Sequence, residues 1–199
     1  ARGPKEPGPA GRPHPRASFA QINNTAVVFG FVSHSKTGRG GSMAQKVLVC
    51  VPVTTEQARL VANGQVVPGP LQVFTVTPML LDTFGLQPND HEEAEYAALL
   101  LAGLWSLRET GRRLVLTAMV DPACLLAGPE EANGGHRLAQ LAASAVEAWF
   151  TDEQDVPVDE VATSIAGLDL DDAWDAPMVS TMHAQHDLLW HSVVELRKD

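Results

Sequence analysis

The stretch Lys46-Val47-Leu48-Val49-Cys50-Val51-Pro52-Val53-Thr54-Thr55-Glu56-Gln57 decides the fold. Its first part is a β-branched apolar run with no polar alternation, the pattern of a strand buried on both faces. Pro52 has no N–H to give to a ladder, so the strand ends near it. Thr54 followed three residues later by Gln57 is a capping box, which predicts a helix over 55–62. Asn63-Gly64 stops it. A buried strand running straight into a capped helix opens a layered domain of mixed secondary structure.

The pattern continues toward the C-terminus. Residues 71–77 read as a second strand. Thr77-Pro78 joins a capping residue to a proline at the first helical position, which predicts a short helix to about residue 84. Asp90 with Glu93 starts a helix over 91–110. It carries Glu92, Glu93 and Glu95 in its first turns and Arg108, Arg112 and Arg113 near or past its end, in the sense favoured by the helix dipole. Its middle is apolar on almost every side, so the sheet and another element must cover it. Residues 113–120 read as a third strand, 128–135 as a loop, 159–168 as a helix, 169–175 as an acidic loop and 181–196 as a closing helix. Residues 137–151 fit a helix by the spacing of Leu138, Leu141, Ala142 and Val146, and a strand by composition over 146–151. No internal repeat is visible. The expected fold is α/β or α+β, a single layered sandwich with three to four strands in a mixed sheet and a C-terminal helix.

Toward the N-terminus the composition changes. Residues 1–42 hold six Lys/Arg and one acid, a net of +5, whereas residues 43–199 hold eight Lys/Arg and 23 Asp/Glu, a net of −15. The expected organisation is a basic Pro/Gly-rich tail over 1–42, disordered or not native, joined to an acidic globular domain over 43–199. Met43 is the first methionine, and codons for Gly40-Gly41 can spell a purine-rich ribosome-binding site, so Met43 is read as the natural start. Within the tail, residues 25–29 look like a short strand, and residues 30–37 approach a P-loop. Ser35 stands where that loop needs glycine before Lys36, and Gly38, Gly40 and Gly41 oppose the helix that must follow.

The whole chain of 199 residues has 45% hydrophobic and 19% charged residues and a net charge of −10, which suits one globular core. That charge argues against nucleic-acid and anionic-membrane binding through the acidic domain. No stretch reaches the roughly 20 apolar residues of a bilayer span. The N-terminus lacks a signal-peptide core, and the protein is read as cytoplasmic. Cys50 and Cys124 are read as two buried reduced thiols.

The chemistry-bearing residues yield no catalytic residue, metal or cofactor. His183 and Asp187, four apart on the expected closing helix, could share a metal, but no further ligands stand at recognisable spacing. His186, Leu189 and Val193 share a face of that helix, which makes His186 a hydrogen-bonded core histidine. The segment 169–175 offers carboxylates without the central glycine and closing glutamate of an EF-hand loop. The turn after the first strand lacks the glycines of a dinucleotide site, and no G-x-S-x-G elbow is present. Glu95 and Tyr96 could form an acid and a phenol at a pocket edge, although Tyr96 also suits a core position with its hydroxyl at the surface.

Several segments together resemble a family of short, acidic, uncharacterised actinobacterial proteins, a domain family of unknown function. They are residues 47–54 (V-L-V-C-V-P-V-T), 76–78 (V-T-P), 95–99 (E-Y-A-A-L), 112–118 (R-R-L-V-L-T-A) and 186–196 (H-D-L-L-W-H-S-V-V-E-L). The resemblance covers about 46–196 and excludes the tail. His191 stands where the family pattern has tyrosine, and 124–144 matches poorly. The resemblance implies a compact domain and carries no activity with it.

Two functional expectations follow, and whether the protein is an enzyme stays open. The first is a non-enzymatic interaction or regulatory module whose acidic surface meets a basic partner protein. The second is a small-molecule-binding protein or enzyme, with a pocket near Thr54, Glu95, Tyr96, His186, Asp187 and Trp190.

Overall fold

The structure, a computed structural model, describes residues 45–196. The basic tail, its strand-like residues 25–29 and its P-loop-like residues 30–37 lie outside the described residues. In chain order the elements are β1 (Val47–Pro52), α1 (Thr55–Ala62), β2 (Val67–Phe74), α2 (Pro78–Phe84), α3 (His91–Thr110), β3 (Leu114–Val120), β4 (Leu125–Ala127), β5 (Gly135–Leu141), β6 (Val146–Thr151), α4 (Val158–Ser164), α5 (Leu170–Trp174), α6 (Pro177–Gln185), β7 (Leu189–Ser192) and α7 (Val193–Leu196).

The strands form a seven-stranded sheet in the order β4-β5-β2-β1-β3-β6-β7, and every pairing is antiparallel. The fold is α+β. The expected three to four strands and mixed sheet are corrected to seven strands in one antiparallel sheet. The added strands are β4 to β7. Three of these lie in segments with weak or double-valued periodicity, and pairing to an existing edge decided them rather than local propensity.

Alternation along each strand divides the core in two. Cys50, Phe74, Val115, Ala148 and Phe150 face one side and pack against buried residues of α2 to α6. Val49, Val51, Val73, Leu116 and Ala118 face the other and pack with Ala58 and Val61 of α1, with Val193 and Leu196 of α7 alongside. Helices therefore cover both faces, so the single layer expected on the sheet becomes one on each side. α3 is buried from Ala94 to Leu104 except at Glu95 and Tyr96, as its all-round apolarity requires. The sheet lies on one side of it, and α4 and α5 lie on another.

The C-terminal third departs most from the sequence reading. The expected closing helix over 181–196 is replaced by α6, which starts earlier and ends at Gln185, then β7 and the single turn α7. His186 has φ −138° and ψ 103°, an extended conformation. Its carbonyl, which a continuing helix would use internally, accepts from Arg113 Nη2 at 3.3 Å. After Asp187 and Leu188, the four residues of β7 complete the edge of β6, pairing Leu189 with Thr151 and Ser192 with Ala148. Residues 137–151 are two strands, not a helix. The segment 169–175, expected as an acidic loop, holds the short helix α5, capped by the Asp169 carboxylate accepting from Asp172 N–H at 2.8 Å. Cys50 is buried as expected and Cys124 is exposed, against expectation; both are free thiols.

Candidate functional site

The polar groups inside this fold converge at the corner where α6 turns into β7. Arg113 stands between the end of α3 and β3, and it is completely buried. The sequence reading placed it with Arg112 near or past the end of that helix, in the sense favoured by the dipole. That suits the exposed Arg112, but Arg113 points inward. Its backbone N–H donates to Asp152 Oδ2 at 3.1 Å and its Nε to Asp152 Oδ1 at 2.5 Å. Both carboxylate oxygens are thus engaged by one residue, a geometry that suits a charge pair removed from water. Gly103 of α3 makes room for the stem. A Cβ there would lie 3.6 Å from Arg113 Cδ and 3.3 Å from Leu188 Cδ1.

Two further groups close the corner. Tyr96 O–H donates to Asp187 Oδ1 at 3.0 Å. Burial, reinforced by the Asp187 charge, holds the phenol well above the usual tyrosine range, so it stays protonated and donating. His183, buried in the last turn of α6, is pushed down to about 3, first by burial and then by the Arg113 guanidinium. It is a neutral imidazole whose ring lies 5.2 Å from that of Trp174. Two fully buried nitrogens, Arg113 Nη1 and His183 Nε2, have no hydrogen-bond partner.

Of the six residues expected to line a pocket, the structure brings Tyr96, His186 and Asp187 to this corner. Glu95 neighbours Tyr96 on α3 and is half-buried. Burial raises its carboxyl, while His91 opposes that rise. Its charge, after burial itself, also helps raise the Cys50 thiol. Thr54 belongs elsewhere. Its hydroxyl accepts from Gln57 N–H at 3.2 Å while Gln57 Oε1 accepts from Thr54 N–H at 2.9 Å, so it caps α1. Thr54→Ala is therefore expected to lower stability by about 1 kcal/mol, read as a shifted urea midpoint with an unchanged slope. Trp190 lies on β7 and is 52% exposed.

The core histidine is His183 rather than His186, which is half-buried and lends its backbone carbonyl. The helical face expected for His183 with Asp187, and for His186 with Leu189 and Val193, ends with α6 at Gln185. Among the described residues no group of three or more His, Cys, Asp or Glu is placed to hold a metal ion. Sequence reasoning missed Arg113, Asp152 and His183 as a group. The one available signal was a second arginine set directly against a buried strand run.

Chemically, the corner holds two carboxylates, one guanidinium and a neutral imidazole. It has no spare positive charge for an anion, and the hydrogen bonds from Arg113 Nη2 to the His186 carbonyl and from Tyr96 to Asp187 tie down the connection between α6 and β7.

The chain matches, over residues 47–198, the model of a family of unknown function, DUF6912. The chain belongs to that family. The match covers nearly the same residues as the resemblance read from the five segments and likewise leaves out the tail. No curated protein matches the chain, and no solved structure does. Among the described residues no helix is long and apolar enough to cross a membrane.

Proposed function

We propose that this member of the family is a non-enzymatic interaction module whose acidic face docks a basic segment of a partner protein. One observation carries the reading. Residues 138–196 contain twelve Asp/Glu and no Lys or Arg, and they build β6, α4, α5, α6, β7 and α7 on one wing of the molecule. Ten of the twelve acids are exposed, Glu153, Asp155, Asp159 and Glu160 among them. The other two, Asp152 and Asp187, are engaged by Arg113 and Tyr96. Among the described residues three basic side chains are exposed: Lys46 before β1, Arg59 on α1, and Arg112 beside Arg113 at the edge of this wing. One-signed charge gathered on one wing steers an oppositely charged partner. Acidity spread for solubility alone would need no such concentration. The same reading takes the protein as cytoplasmic, in keeping with its two free thiols.

The test is titration of the protein with a nona-lysine peptide, followed by amide chemical shifts. Binding is expected at low salt, with the shifts concentrated on α4 to α6 and β7. The affinity should fall about tenfold or more between 50 and 300 mM salt, as screening shortens the range of the field. Shifts spread evenly over α1 and the β4–β5 wing, or no binding at low salt, would defeat the reading.

A small-molecule site near His186 and Tyr96 is the second reading. It draws on the unpartnered Arg113 Nη1 and His183 Nε2, a buried donor beside a buried imidazole nitrogen.

A further inference from the structure

We infer that Trp190 is the anchor of the docking surface and that it receives an arginine side chain of the partner against its indole face. This inference rests on the reading of the acidic wing as a site for a basic segment, and it adds where the contact is centred and which cation is preferred.

Three observations place the anchor. Among the described residues, Trp190 is the exposed aromatic among the large apolar side chains that reach solvent, at 52%. It lies on β7, the last strand of the sheet. Its cross-strand partner is Phe150. Directly opposed residues of an antiparallel pair project to the same face, and Phe150 packs into the core under α3 to α6. Trp190 therefore stands at the open margin of the same face that carries the acidic helices. The chain leaves β6 at Thr151, opposite Leu189, so the exposed Glu153 and Asp155 emerge beside the start of β7.

The residues around Trp190 are held in place. Arg113 binds the carbonyl of His186, and Tyr96 binds Asp187. Leu188 is buried. His191 stacks on Trp149 with ring centroids 4.2 Å apart, and Trp149 Nε1–H donates to the Ser192 carbonyl at 3.1 Å. A flat, exposed indole on a strand fixed at both ends loses little freedom when a partner lands on it, which is the property of an interface anchor. A cation is attracted to the indole face, and the planar guanidinium stacks there better than a lysine ammonium. Carboxylates alongside add charge attraction without competing for the ring.

The experiment compares nona-arginine with nona-lysine, by titration calorimetry at low salt, on the wild type and on Trp190→Ala, Trp190→Leu and Trp190→Phe. A surface acting by charge alone binds the two peptides alike. The anchor predicts that the wild type prefers nona-arginine, and that Trp190→Ala weakens nona-arginine about tenfold while changing nona-lysine less. Trp190→Leu, which keeps apolar area without a ring, should lose the preference, and Trp190→Phe should keep part of it. The position is half exposed, so folding of the variants is checked by circular dichroism and is expected to be unchanged. If Trp190→Ala binds both peptides as the wild type does, the anchor is overturned while the acidic docking reading stands. If the wild type binds neither peptide, both fail together.

Discussion

Asp152→Ala is expected to destabilise the protein by about 3–5 kcal/mol, the cost of leaving a buried charge without its partner. Arg113 is fully buried, and its guanidinium and backbone N–H both lean on that one carboxylate. The remaining contact, from Nη2 to the His186 carbonyl, cannot replace a counter-charge. The penalty belongs to the orphaned guanidinium and not to the net worth of the pair. It follows that Arg113→Met combined with Asp152→Leu should lose much less than Asp152→Ala alone, because the double variant leaves no buried charge. Urea unfolding at pH 7 measures both. A loss below about 1 kcal/mol for Asp152→Ala would mean that water reaches the guanidinium, and that this corner does not lock the α6–β7 connection.

Stability should fall as the solution is acidified from about pH 6.5 toward pH 3, with His183 as a principal cause. In the fold its imidazole protonates only near pH 3, held down by burial and by Arg113. In the unfolded chain it protonates near the ordinary histidine value of about 6.5. Between those limits the unfolded state binds a proton that the native state refuses. The His183 contribution is thus complete above about pH 6.5 and is lost as the pH drops, at a slope approaching roughly 1 kcal/mol per pH unit. Glu95 works in the opposite direction. Its raised carboxyl takes up a proton in the native state before the unfolded chain does, which offsets part of the loss. Unfolding curves for the wild type and His183→Gln at several pH values separate the two. The variant should show a clearly flatter decline between pH 6 and 4, and parallel declines would remove His183 from the account.

The charge-based and structural readings meet at β7. The buried pair at Arg113 and the Tyr96–Asp187 contact deliver Trp190 to the sheet margin, so a lesion at Asp152 should weaken both the fold and the docking surface. A lesion at Trp190 should weaken the surface alone. That difference separates groups that build the site from one that meets a partner.

Much of the framework was legible in the residues. The run 47–53 could only be a covered strand, since few other arrangements hide so many β-branched side chains. Thr54 with Gln57, and Thr77 with Pro78, marked helix starts through hydrogen bonds reaching three residues. The apolar circumference of α3 announced that it would be enclosed. The family, too, was readable from short segments spread along the chain, and the acidic balance was a matter of counting.

The tertiary structure alone decided the rest, because the deciding partners are distant in sequence. A helix-like spacing over 181–196 gave way to β7 because β6 offered an open edge and Arg113, 73 residues before His186, took the carbonyl that the helix needed. Residues 137–151 became two strands because β2 and β3 were there to pair with them. Arg113 and Asp152 lie 39 residues apart, and nothing local to either one marks it as half of a buried charge pair. Local hydrogen bonds and side-chain periodicity act within a few residues and can be read along the chain. The burial of a charge, the end of a helix against a strand edge and the exposure of one tryptophan depend on what the folded chain brings alongside.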